Sequence, residues 1–182
     1  MKKRFIPILY VIVLMGCGPA QIDMGKDDDF LKEELKEILN LIPEHKKGNE
    51  EVSKVSVGWH LYHTLLTMNE IYDVMQSSRP ETYVQRFNLT RTLMFSSNQI
   101  PRGKAKSPQR VTPPAVFSSE DIKLQFYRAR TNMSFVDAMH EKAHFTHPSA
   151  GTLNREDSKR FLKIHTEHHL KIIRDILRQK NK

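Results

Sequence analysis

The sequence predicts an all-α protein, a four-helix bundle with one long proline-rich, basic crossover. Three observations predict it. Apolar residues recur at a spacing of three to four in several long stretches. Capping and helix-breaking residues bracket those stretches. No stretch alternates apolar and polar residues for long enough to make a strand.

The N-terminus reads as a targeting segment. Lys2, Lys3 and Arg4 precede an almost unbroken apolar run from Phe5 to Met15, the charged-then-hydrophobic layout of an export signal. At about 11 residues the run is too short for a hydrocarbon core that needs about 20. It ends Leu14-Met15-Gly16-Cys17, and Cys17 is the single cysteine of the chain. This resembles the lipobox of bacterial lipoproteins, which implies cleavage before Cys17 and its acylation, and several acyl chains together hold a protein on a bilayer. The expected organisation is a signal peptide over 1–16, a tether over 17–26 and a helical domain over 27–182. The expected location is the outer face of a bacterial cell membrane, facing periplasm or exterior. Losing Lys2, Lys3 and Arg4 lowers the formal charge from +8 to +5. That surplus is spread along the chain, so a nucleic-acid partner is not expected.

In the domain, Asp27, Asp28 and Asp29 lie ahead of Leu31, Leu35, Ile38, Leu39 and Ile42. Acidic residues at that end suit the helix dipole, and Pro43 and Gly48 close the helix. A second helix runs from near Ser56 to Ser77, carrying Trp59, Tyr62, Leu66, Tyr72 and Met75, and Arg79-Pro80 ends it. Glu81 to Ser97 reads as a weaker helix, with a partial stripe of Val84, Phe87 and Leu93. Ile100 to Phe117 holds Pro101, Gly103, Pro108, Pro113 and Pro114 among Arg102, Lys104, Lys106 and Arg110, and so cannot be helical. Connections of that length tend to be functional; Arg102 and Lys104 could rim a site and meet an anionic ligand. Ser118 or Ser119 caps the next helix, whose stripe extends from Ile122 to Met139. Phe145 to Leu153 reads as a turn region. Asn154 and Asp157, placed like a capping box, open the last helix, with Phe161, Ile164, His165, His168, Ile172 and Ile176.

The nine histidines are the chemical signal. His165 and His169, four apart on a helix, share one face and make a natural pair of metal ligands. A third must come from another helix to hold an ion with a position left for water or substrate. His63, mid-helix among Trp59, Tyr62 and Leu66, is the best third ligand, because a polar ring among apolar neighbours needs a partner. His60 and His168 are placed to give supporting hydrogen bonds. The expected cofactor is one divalent transition metal: zinc, nickel or iron. His140-Glu141-Lys142-Ala143-His144 also matches the zinc-peptidase helix motif, with His165 or Glu167 about twenty residues on as a third ligand; that reading ranks below the triad. No acidic residue falls on the triad's face, so His147 or His168 would have to move a proton.

These residues carry a resemblance. The chain resembles the DinB-like superfamily of metal-binding four-helix proteins, most closely its DUF1569 family. The likeness rests on His63, the stretch Pro101 to Pro108, His147-Pro148 followed by Gly151-Thr152-Leu153, and His165-x-x-His168-His169-Leu170. It implies an up-down-down-up bundle with a divalent metal on His63, His165 and His169. It implies either a hydrolase or a thiol-dependent transferase; the alternative is a membrane-tethered lipoprotein that binds without turnover. Two departures, Ala150 where an aromatic is common before the glycine and Ile172 where a glutamine is common, bear on substrate contacts and leave the triad intact. The partners expected are membrane lipid through Cys17, a small-molecule ligand and a second copy of the chain.

Overall fold

The computed structural model describes residues 30–103 and 107–178. The signal, Cys17, Asp27 to Asp29 and Lys104 lie outside the described residues. Among those described, the architecture is five helices and one short hairpin: α1 (Lys32–Leu41), α2 (Val57–Ser77), α3 (Leu89–Ser97), α4 (Ser119–Phe135), β1 (Phe145–His147), β2 (Gly151–Leu153) and α5 (Arg155–Arg178). No helix among them is long and apolar enough to cross a membrane.

The central element is α2. Thirteen of its twenty-one residues are buried, on all sides of the helix, because α4 and α5 pack along it and α1 touches all three. A helix enclosed in this way needs apolar residues around its whole circumference; Leu61, Leu65 and Met68 are fully buried, each contributing roughly 1.5–3 kcal/mol of transfer free energy. Its start is set by Ser56, whose hydroxyl accepts the Trp59 N–H at 3.2 Å. By contrast α5 is amphipathic, burying Phe161, Leu162, Leu170, Ile173 and Ile176 and turning charge outward. Asn154 starts it by accepting the Asp157 N–H at 2.9 Å, as the sequence anticipates. At α4, Ser118 and Asp121 form a reciprocal capping box.

Three sequence expectations are corrected. The helix expected over Glu81 to Ser97 begins only at Leu89. Asn88 caps it by accepting the Arg91 N–H at 2.8 Å, and the Arg91 guanidinium donates to the carbonyls of Arg86 and Thr152, which holds the preceding segment extended. Phe145 to Leu153 is an antiparallel hairpin, pairing Phe145 with Leu153 and His147 with Gly151. Its three-residue strands are too short for any alternation to show, so the bundle is not purely helical. Finally, α4 ends at Phe135 and tightens into a 3-10 turn over Val136–Ala138, so Met139 lies beyond the helix.

One glycine fixes where α2 can start. The Gly58 N–H donates to the His45 carbonyl at 2.8 Å, and a Cβ there would stand 2.7 Å from that oxygen and 3.1 Å from Phe117. In an isolated helix Gly→Ala stabilises by about 1 kcal/mol. Here the backbone contact reverses the sign: Gly58→Ala is expected to lower stability by about 1–3 kcal/mol, read as a lower midpoint in chemical denaturation, and an unchanged or raised midpoint would refute the close packing.

Candidate metal centre

The packing of α2 against α5 brings three imidazoles to one point. The His63 ring lies 4.8 Å from that of His169 and 5.1 Å from that of His165, which is itself 4.5 Å from His169. His63 Nε2 and His165 Nε2 are 3.2 Å apart, as are His169 Nε2 and His165 Nε2. Nitrogens bound to one tetrahedral ion at ordinary metal–nitrogen lengths stand about 3.3 Å apart, so the spacing fits an ion.

The opposite edges of the rings decide which nitrogen carries a lone pair. His63 Nδ1 donates to the Val111 carbonyl at 2.7 Å, leaving Nε2 as a lone pair directed at the cluster. His169 Nδ1 faces His60 Nδ1 at 3.0 Å, and His60 Nε2 reaches the Ser53 hydroxyl at 2.9 Å. With His169 Nε2 turned to the cluster, its Nδ1–H donates to His60, and the His60 Nε2–H donates to Ser53. Each ligand so braced presents a fixed tautomer, the arrangement that orients imidazoles on metals. His165 is the exception: its Nδ1 is buried and finds no hydrogen-bond partner among the described residues. One cation on the common side of the three lone pairs satisfies them together, whereas hydrogen bonding among them relies on a single shared proton.

Burial tunes the same groups. Burial is the first cause that lowers the pKa of His60, His63, His165 and His169; neighbouring histidines add to it at His60, His165 and His169, and the Val111 hydrogen bond partly opposes it at His63. His60 falls to about 4. The rings are therefore neutral at pH 7, the form that binds metal. His63, His165 and His169 make up a three-histidine cluster able to coordinate a divalent transition metal, and imidazole suits zinc, nickel and iron alike.

Of the other residues singled out in the sequence, His60 sits directly behind His169. The His168 ring is 5.1 Å from that of His169 and hydrogen-bonds the Ile100 backbone. It borders a cleft of about 330 Å³ shared with Arg102 and Lys171. Arg102 is ion-paired with Asp175 at 2.7 Å. His147 is turned to structural use: its Nδ1 accepts the N–H groups of Ser149 and Ala150 at 3.1 Å each, and its ring packs on Phe161 at 4.8 Å. Phe161 in turn stacks on His165. The peptidase motif is overturned. His140 to His144 lie in a turn, His140 Nδ1 accepts the Lys142 N–H, and His144 Nδ1 contacts the Lys142 carbonyl; without a helix the two rings do not share a face. Glu70 and Glu167 are held by Arg110 and Arg174, and among the described residues no carboxylate belongs to the cluster.

Trp59, Phe161, Ser107, Val111 and Ser53 were not singled out for the site in the sequence. Trp59 stacks on His63 at 4.9 Å with 18° between the planes. The pairs Trp59–His63 and Phe161–His165 each stand four apart on one helix face, so a search for an aromatic one turn before each ligand would have found both. The Ser107 hydroxyl lies 3.3 Å from His63 Nδ1 and 3.5 Å from its Nε2, and no local pattern points to it. Comparisons with protein-family models, with curated proteins and with solved structures return no match.

Two outcomes are expected. Elemental analysis should find about one transition-metal ion per purified chain, and His63→Ala or His169→Ala should each lose it; retention at parental stoichiometry in both would refute the cluster as a ligand set. The metal-free protein should lose stability as the pH falls below about 6.5. The unfolded chain then takes up protons that the folded imidazoles refuse, so stability rises with pH across that window. For His60, whose pKa falls from 6.5 to about 4, the loss approaches about 3 kcal/mol near the lower limit. Denaturation midpoints measured between pH 7.5 and 4.5 check the sign, and a His60→Phe variant should flatten the slope.

Proposed function

We propose that this chain is a membrane-tethered, metal-dependent enzyme of the DinB-like kind, acting as a hydrolase or a thiol-dependent transferase, with Cys17 as its lipid attachment point. The observation that carries the enzymatic reading is the convergence of three neutral imidazoles, two of them braced from behind. Three protein ligands leave a tetrahedral ion one position for an exchangeable group.

A divalent ion there supplies Lewis acidity and lowers the pKa of a water or thiol that binds it. The remaining work falls to the chain. Val111 holds His63, and the Ser53–His60 pair holds His169, so two of the three ligands keep their aim while a substrate exchanges. Trp59 and Phe161 cover ring faces of His63 and His165 and exclude water from them. The Ser107 hydroxyl, at the His63 edge, can donate to or accept from a bound polar group. Among the described residues no carboxylate belongs to the cluster to take a proton, so a substrate with an acidic group of its own, such as a low-molecular-weight thiol, would suit a metal held by these residues better than water.

That no carboxylate belongs to the cluster among the described residues also supports a second reading, a membrane-tethered binding or structural lipoprotein that keeps the metal site without turnover. Cobalt substitution separates the two. The loaded protein should show visible absorption bands that shift when a small thiol is added. Bands that ignore thiols and azide would mark a closed ion and favour the binding reading; a shift accompanied by turnover of activated esters or thiol acceptors supports the enzyme.

A further inference from the structure

The segment leading into α3 is apolar where a soluble surface should not be. Phe87 is 82% exposed, and Val84, Leu89 and Leu93 are 59–60% exposed. Leu89 and Leu93 stand one turn apart on the outer face of α3, a helix that contains no acidic residue. Singly exposed apolar residues need no explanation, but a contiguous group marks an interaction surface.

Two further observations identify the occupant. The first is charge. From Thr82 to Ser119 there is no aspartate or glutamate, and of the four arginines in that span Arg102 and Arg110 are paired with Asp175 and Glu70. Arg91 is buried in backbone hydrogen bonds and Arg86 is exposed beside Phe87. The second is position. Gln85 donates to Asp157 at 3.2 Å, and the Arg160 guanidinium lies 4.7 Å from the Phe95 ring, so the patch is held at the first turns of α5. The Lys159 ammonium lies 5.2 Å from the Phe30 ring, and Phe30 is where the 29 preceding residues join. The end of the chain that carries the apolar run Phe5 to Met15 therefore enters the domain at the same end of α5 as the patch.

We propose that Val84, Phe87, Leu89 and Leu93 seat on an anionic bilayer surface, the membrane to which the N-terminal segment brings the domain. The inference rests on the tethered reading for its occupant, not on the metal. The 13 residue steps from Cys17 to Phe30 set an upper limit of about 45 Å on the reach of the tether. The tether thus raises the local concentration of bilayer around a patch too small to bind alone, and the patch selects the orientation. Apolar side chains enter the headgroup boundary and the exposed Arg86 beside Phe87 meets lipid phosphate, as amphipathic surfaces do.

The test uses the full chain reconstituted in vesicles of phosphatidylethanolamine and phosphatidylglycerol whose acyl chains are brominated. Trp59→Phe removes the one native tryptophan and keeps a ring on His63; Phe87→Trp or Leu124→Trp then supplies a single reporter. Leu124, 67% exposed, lies on α4, which packs on α1 and α2. Fluorescence at position 87 should fall by about half or more, with little change at 124, and the difference should shrink in zwitterionic vesicles. Equal quenching at both positions, or none at 87 in vesicle-bound chain, overturns the proposal. So does a dimer in which position 87 is shielded from lipid and from aqueous quenchers alike, which would assign the face to a second copy. The mass of the N-terminal peptide reports acylation separately: quenching at 87 in an unacylated chain upholds the patch while removing the Cys17 tether.

Discussion

Burying an imidazole leaves two ring nitrogens to satisfy, and α2 buries two such rings within one turn. Each polar atom taken from water without a partner costs on the order of 1–3 kcal/mol, so His60 and His63 dictate what must surround them. His63 obtains one partner from the crossover, through Val111, and directs the other nitrogen at α5. His60 obtains Ser53 from the chain before α2 and His169 from α5. The seam between α2 and α5 is thereby specified by hydrogen bonds as well as by the fit of Leu61, Leu65, Leu162 and Leu170. Polar networks of this kind fix one arrangement among many that apolar packing would tolerate.

The same constraint explains the crossover. A stretch with five prolines and glycines from Pro101 to Pro114 cannot form a helix, yet it is not slack at its far end: a 3-10 turn over Gln109–Val111 sets the carbonyl that holds His63, and Val111 is buried. Proline restricts the backbone before folding, which lowers the entropy cost of placing that carbonyl. The loop belongs to the centre's scaffold, and its Arg102 lines the cleft beside His168.

Much of this was legible. Ser56 and Asn154 marked the starts of α2 and α5 because their capping partners lie within three residues. The three ligands were legible because helical spacing puts His165 and His169 on one face and leaves His63 stranded among apolar neighbours. The failures share a cause. The extended segment before α3 is held by Arg91 reaching Thr152, sixty-one positions away. The hairpin is three residues deep, and the His140 to His144 motif needed a helix that α4 does not extend to provide. The Ser107 and Val111 contacts with His63 cross more than forty positions. Local pattern reports local interactions, and these were decided elsewhere in the chain.

The separation of the ligands has a consequence for the order of assembly. His63 and His165 are 102 residues apart, one on α2 and the other on α5. A fragment that lacks α5 carries one of the three ligands, so the cluster cannot assemble before α5 docks on α2. Once bound, the ion closes a loop of about a hundred residues, and such a closure restrains the unfolded chain much as a long-range crosslink does, in a protein whose single cysteine leaves no intramolecular disulfide to do so.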